Sequence, residues 1–181
     1  MEIEALHLSG LVKLTPRQFG DDRGVFWETW RKGMLDVHTD QPLDFVQENL
    51  SISKAGTLRG LHFQRDPHAQ GKLVRCASGR VFDVAVDVRA SSPTRGQWYG
   101  CELSSQNGCQ LWIPAGFAHG FLTLEPNTLF CYKCTDIYSP EHERSLRWND
   151  PDLAIDWGTE APILSEKDTA APLFAAFESP F

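Results

Sequence analysis

The sequence contains no basic run, with 17 Lys and Arg against 24 Asp and Glu and a net charge of -7. Nucleic-acid binders draw much of their affinity from clustered cations on phosphates, so this balance argues against that class. No apolar stretch approaches the length of a membrane span. The opening residues Met1-Glu2-Ile3-Glu4 lack the basic segment and apolar run of a secretory signal. Cysteine is sparse, with five scattered residues and no dense framework. Reduced thiols in a cytoplasmic protein are therefore expected rather than disulfides. No repeat, low-complexity tract or linker divides the 181 residues, which suit one domain over 1–181 with a substantial core. Hydrophobic residues make up 41%, too many for a disordered chain. Individual Arg and Lys side chains remain available for a small anionic ligand.

What is present reads as short strands punctuated by Gly, Pro and Asp. Val81 to Val88 is rich in β-branched residues and places Phe82, Val84, Val86 and Val88 on one face. Lys72 to Ala77 forms the strand before it, with Ser78-Gly79 expected as a hairpin turn. Further strands are expected at Val25–Trp30, Phe45–Ser53, Thr57–Phe63, Trp98–Leu103, Gln110–Ile113, Gly120–Leu124 and Leu129–Tyr138. Their close spacing points to a β-sandwich or barrel rather than alternating βαβ units. After Ser139 the prolines at 140, 151, 162 and 172 break the texture into short helical turns and an extended tail. The expected fold is all-β, a cupin-type jelly roll with short C-terminal helical segments.

Several segments carry reactive groups. Gly56-Thr57-Leu58-Arg59-Gly60-Leu61-His62-Phe63-Gln64 puts an Arg and a His in one strand. Strict alternation would turn Arg59 and His62 to opposite faces. Gly60 between them can mark a bulge that re-aims one side chain, so that both line one cavity. A histidine in such a place is otherwise an ordinary hydrogen-bonded structural residue. Pro114-Ala115-Gly116-Phe117-Ala118-His119 follows the Pro-x-Gly-x-x-His pattern of the second cupin motif, whose His binds metal in many cupins alongside an earlier His-x-His pair. Here the earlier strand offers only Leu61-His62-Phe63. A tight metal site takes three or four convergent ligands, so a metal-free site without a cofactor is expected.

Cys131-Tyr132-Lys133-Cys134 contains a C-x-x-C spacing. Residues three apart in a strand face opposite ways, and no second pair completes a zinc site. Tyr132 is either one more packed aromatic or a phenol able to deliver a proton in a closed pocket. Ser165-Glu166-Lys167-Asp168 reads as the cap of a short helix, and a functional role for it is equally open. Asp21-Asp22 and Glu141-His142-Glu143 would be solvated loop charges by default.

Together these segments resemble the dTDP-4-dehydrorhamnose 3,5-epimerases from about Phe19 to Asp168. The resemblance rests on Phe19-Gly20-Asp21-Asp22-Arg23-Gly24, Leu58 to Gln64, Gln70-Gly71-Lys72-Leu73-Val74-Arg75, Val81-Phe82-Asp83-Val84, Pro114 to Phe121, Tyr138 to Arg144 and Leu164 to Asp168, all in order. It implies a nucleotide-linked 4-keto-6-deoxy sugar as substrate, whose ketone acidifies the neighbouring C3 and C5 hydrogens. His62 matches the general base, suited by an imidazole near its operating pKa. Asp168 matches the carboxylate that fixes the tautomer of this His. Lys72 matches the cation beside the developing enolate oxygen. Tyr132 matches the acid that returns a proton from the opposite face.

For the nucleotide, the resemblance implies contacts from Arg23, Glu28, Gln47, Asn49, Arg59, His119, Glu143 and Lys167, with Tyr138 stacking on the base. Guanidinium forks suit a diphosphate. Arg23 and Glu28 are implied to reach the neighbouring subunit's site through an exchanged N-terminal strand, in a homodimer. The chain reads Gln47-Glu48-Asn49-Leu50-Ser51 where many members read Gln-Asp-Asn-His-Ser. Two other functions use overlapping features: a mono-epimerase or keto-isomerase on a related sugar nucleotide, and a non-catalytic sugar-binding cupin. The latter has no need of a His–Asp pair opposed by a Tyr.

Overall fold

The computed structural model describes residues 1–39 and 42–181. In chain order its strands are β1 (Glu2–Ala5), β2 (Val12–Thr15), β3 (Gln18–Asp21), β4 (Gly24–Trp27), β5 (Gln47–Ser53), β6 (Leu58–Gln64) and β7 (Lys72–Ser78). There follow β8 (Arg80–Asp87), β9 (Trp98–Ser104), β10 (Gln110–Ile113), β11 (Phe117–Thr123), β12 (Thr128–Cys134) and β13 (Glu143–Ser145). A short helix α1 (Glu166–Thr169) and a 3-10 turn at Phe174–Ala176 lie in the C-terminal region. One sheet has the order β1-β2-β10-β7-β12-β5 and the other β13-β6-β11-β8-β9, while β3 and β4 pair with each other alone. This is the expected antiparallel jelly roll.

The interior lies between the two sheets. Val74, Leu111, Ile113 and Phe130 from one sheet meet Val81, Ala85, Leu103 and Phe121 from the other. Each outer face is covered by a different stretch of chain. The C-terminal region lays Leu146, Trp148, Leu153, Ile155 and Trp157 over Leu61, Phe63, Val84, Val86 and Val88 of the five-stranded sheet. Phe177 and Phe181 extend this cover, both packing against Phe63. Residues Trp30, Met34, Leu35, Leu43 and Phe45 cover Val12, Leu14, Leu73 and Trp112 of the six-stranded sheet. The predicted apolar face of Val81 to Val88 is thus real, and it faces the C-terminal layer over the five-stranded sheet rather than the interior.

The turn at Ser78-Gly79 is not the predicted hairpin. β7 pairs with β10 and β12, whereas β8 pairs with β11 and β9, so the turn carries the chain from one sheet to the other. Gly79 has φ +80, and a Cβ there would lie 2.6 Å from Thr128 Oγ1. The crossing therefore needs both the left-handed backbone and the missing side chain. The strand expected at Val25–Trp30 stops at Trp27, and that expected to reach Tyr138 stops at Cys134. All five cysteines are free; Cys76, Cys109, Cys131 and Cys134 are buried and Cys101 is half-buried. No helix among the described residues is long and apolar enough to cross a membrane.

Candidate active site

The site begins with an irregularity in β6. Leu58, Leu61 and Phe63 pack in the outer layer, while Arg59 and His62 both line a cavity between the sheets. Strict alternation would forbid this. β11 pairs His119 with His62 and Phe121 with Arg59, so three steps along β6 span only two along β11. The extra residue is taken up at Gly60, with φ +145, where a Cβ would stand 2.4 Å from Gly120 Cα. The bulge expected at Gly60 is present and re-aims Arg59.

His62 Nε2 lies 2.5 Å from Asp168 Oδ1, with the His side chain 27% exposed and the Asp 4%. Asp168 reaches this place because α1 starts there. Ser165 caps the helix by accepting from Asp168 N at 3.1 Å, and its hydroxyl donates to Asp168 Oδ2 at 2.8 Å. The cap and functional readings of Ser165 to Asp168 are therefore one structure. Burial would raise the Asp168 carboxyl's pKa, but the His62 and Ser165 hydrogen bonds hold it below the usual carboxylate range.

The facing wall comes from the six-stranded sheet. Tyr132 of β12 and Lys72 of β7 line the same cavity as His62, and Lys72 Nζ donates to the His62 carbonyl at 3.4 Å. Burial pushes the Tyr132 phenol up, so it is held as the neutral acid. Burial draws the Lys72 ammonium down from its ordinary value, opposed by Cys134, Glu143 and Asp83. His119 Nε2 bonds Asp83 Oδ2 at 2.8 Å, both side chains being buried. His119 borders the His62–Tyr132 space together with Phe121, rather than the part bordered by Tyr138. Among the described residues, no three His, Cys, Asp or Glu side chains converge as metal ligands.

Sequence reasoning missed Ser51. Its hydroxyl is buried without a hydrogen-bond partner among the described residues, and Ser51 lines the cavity between the sheets. Alternation from Gln47 and Asn49 along β5 is the signal that would have found it. Glu48, Leu50 and Ile52 point the other way and are exposed, so Leu50 sits off the cavity face.

The space divides into two joined parts of about 450 Å³ and about 360 Å³ that share His62, Lys72 and Tyr132. Arg59 lies in the first, its Nε donating to Ser53 Oγ at 3.2 Å. Gln47, Asn49, Tyr138 and Glu143 line the second. Tyr138 OH donates to Glu143 Oε2 at 2.8 Å, and Lys167 pairs with the same oxygen. Burial would raise the Glu143 carboxyl, but the Lys167 and Tyr138 hydrogen bonds hold it below its ordinary value. Arg23 and Glu28 stand apart from both parts. Arg23 is 89% exposed and paired with Asp21, and Glu28 pairs with Arg31.

A His–Asp pair and a Tyr from opposing walls, with a Lys lining the same cavity, fit proton transfer at a carbon. A model of the family described as dTDP-4-dehydrorhamnose 3,5-epimerase matches residues 5–176. The chain is 52% identical to the dTDP-4-dehydrorhamnose 3,5-epimerase of Pseudomonas aeruginosa over 97% of each protein. It superposes with a TM-score of 0.92 on the Legionella pneumophila dTDP-6-deoxy-D-glucose-3,5-epimerase in complex with dTDP-4-keto-L-rhamnose, at 47% identity over 98% of this chain and 94% of that one. A Streptomyces bikiniensis 3'-monoepimerase in complex with dTDP-quinovose is more distant, at 33% identity and a TM-score of 0.89, over 94% and 86% of the two chains. Motif order, jelly roll and site geometry agree with these matches, and the chain belongs to the dTDP-4-dehydrorhamnose 3,5-epimerase family.

Proposed function

We propose that this protein inverts C3 and C5 of dTDP-4-dehydro-6-deoxy-D-glucose, giving dTDP-4-dehydro-L-rhamnose, by proton transfer through an enolate. The observation that carries this reading is the placement of His62, backed by Asp168, and Tyr132 on opposing sheets around one cavity. Inversion needs a proton removed from one face and returned to the other. A single base would mostly restore the starting configuration.

His62 takes the hydrogen next to the ketone, and Asp168 holds the imidazole and stabilises its protonated form. The electron pair moves onto the ketone oxygen, where Lys72 and the Ser51 hydroxyl, unpartnered among the described residues, supply positive charge and a donor. Tyr132, held as the neutral phenol, gives its proton to the far face. One inversion leaves His62 protonated and Tyr132 deprotonated, so both reset through solvent before the second carbon reacts. The partial exposure of His62 gives water that access. Tyr138, Glu143, Gln47, Asn49, Arg59, His119 and Lys167 bind the rest of the substrate. Incubation of a 4-keto sugar nucleotide in heavy water tests the reading. Deuterium at both carbons supports it, deuterium at one carbon makes the protein a mono-epimerase, and none makes it a binding module.

The reaction needs no metal in this reading, because His119 is engaged by Asp83 and no group of three possible ligands forms among the described residues. Activity should persist through exhaustive chelation. Its loss, with recovery on adding back one metal, would overturn that expectation.

The proposed assembly is a homodimer in which Arg23 and Glu28 enter the partner's cavity. The β3–β4 hairpin that carries Arg23 exposes Phe19, Val25 and Phe26, and the edge strand β5 exposes Leu50 and Ile52. Such apolar surface is stabilised when a second copy covers it. Light scattering should show a dimer, and a fully active monomer at assay concentration would contradict it. The free cysteines suit a cytoplasmic location.

A further inference from the structure

Tyr138 is 51% exposed and joins no hydrophobic core cluster among the described residues, yet it stands at the rim of the cavity. Its backbone is held instead by amide side chains. Gln64, 3% exposed, donates from Nε2 to Ile137 O at 3.1 Å and to His68 O at 2.6 Å. Its Oε1 accepts from Ser139 N at 2.8 Å. Gln70 Nε2 donates to Asp136 O at 2.8 Å, and Gln47 Oε1 accepts from Tyr138 N at 2.7 Å. Four consecutive residues, Asp136 to Ser139, are thus gripped by three glutamines. Gln64 is the member bonded on both sides of Tyr138.

We infer that Gln64 is a positioning residue for substrate binding, presetting the Tyr138 ring for the nucleotide base through the backbone of 136–139. This rests on the reading of Tyr138 as the stacking aromatic. A glutamine is required rather than a carboxylate, since the two carbonyls need a donor while Ser139 N needs an acceptor. With the loop preset, binding does not have to order it, and the loss of that preorganisation falls on affinity. The chemistry of His62 and Tyr132, carried on strands, is left in place.

The test compares Gln64→Met, Gln70→Met and Tyr138→Ala, and each glutamine variant combined with Tyr138→Ala. The readouts are turnover and calorimetric binding of dTDP. Gln64→Met should raise KM and the dTDP Kd about tenfold while changing kcat less than about threefold, and Gln70→Met should give about threefold in Kd. In the Tyr138→Ala background both effects should shrink to less than about twofold, because the residue they act through is gone. A residue that only stabilises the fold would show no such dependence on Tyr138. Unchanged binding, an undiminished effect without Tyr138, or a fall in kcat at constant KM would each overturn the inference. If Gln64→Met does not fold, the Gln70 pair decides by the same criterion. A wild-type protein that neither binds dTDP nor turns over would refute the proposed function, whereas an active wild type whose glutamine variants depart from these expectations refutes the clamp alone.

Discussion

His62→Ala should abolish both epimerisation and solvent exchange at C3 and C5, whereas Tyr132→Phe should spare the first abstraction and cripple inversion. The two side chains differ in sheet and in surroundings: His62 is backed by a carboxylate at 2.5 Å, and Tyr132 is half-buried with its phenol pushed up. Each positioned proton-transfer group contributes about 10²–10⁴-fold, so both losses in inversion should be of that size. The distinguishing signature is deuterium in unepimerised substrate with Tyr132→Phe and none with His62→Ala. Near-normal inversion by either folded variant would refute its role.

Gly60→Ala should be the most damaging change of a single methyl group, because backbone rather than a movable side chain stands where the Cβ would go. The new carbon would meet Gly120 Cα at 2.4 Å and His119 O at 3.0 Å, at a φ of +145. Backbone strain and overpacking each cost about 1–3 kcal/mol, so a loss of about 3 kcal/mol or more in denaturant unfolding is expected. Relief would come from parting β6 and β11 at the pairing that places His62 beside His119, so activity should fall with stability. A variant within about 1 kcal/mol of wild type with full activity would show that the bulge tolerates a side chain.

The sequence disclosed β5 to β12 because their β-branched and aromatic runs are bounded by turn residues, and it disclosed the bulge because a glycine interrupts Arg59 and His62. It hid β1 and β3, which are largely exposed and have no buried face to impose a period. β13 was hidden for a different reason. Its three residues, Glu143–Ser145, are ordered by pairing with β6 and locally read as solvated charge. The hairpin at Ser78-Gly79 was misread because a tight turn looks the same whether its strands pair or part. Likewise the His62–Asp168 pair spans the chain, and local pattern could offer only a helix cap. The family resemblance joined the two residues, and the fold brings them to hydrogen-bonding distance.

The burial of the thiols bears on how the protein meets oxidants. Desolvation pushes Cys76 to about 11 and Cys101 to about 12, and raises Cys134 as well. The thiolate is the form that peroxides and alkylating agents attack. A thiol with a pKa near 11 is ionised in only about one molecule in 10⁴ at pH 7. Cys134 is buried beside the cavity-lining Asn49, whose Nδ2 lies 3.8 Å from its sulfur. The same desolvation that raises these thiols disfavours the reactive thiolate, so slow reaction with peroxides and alkylating agents is the expected result.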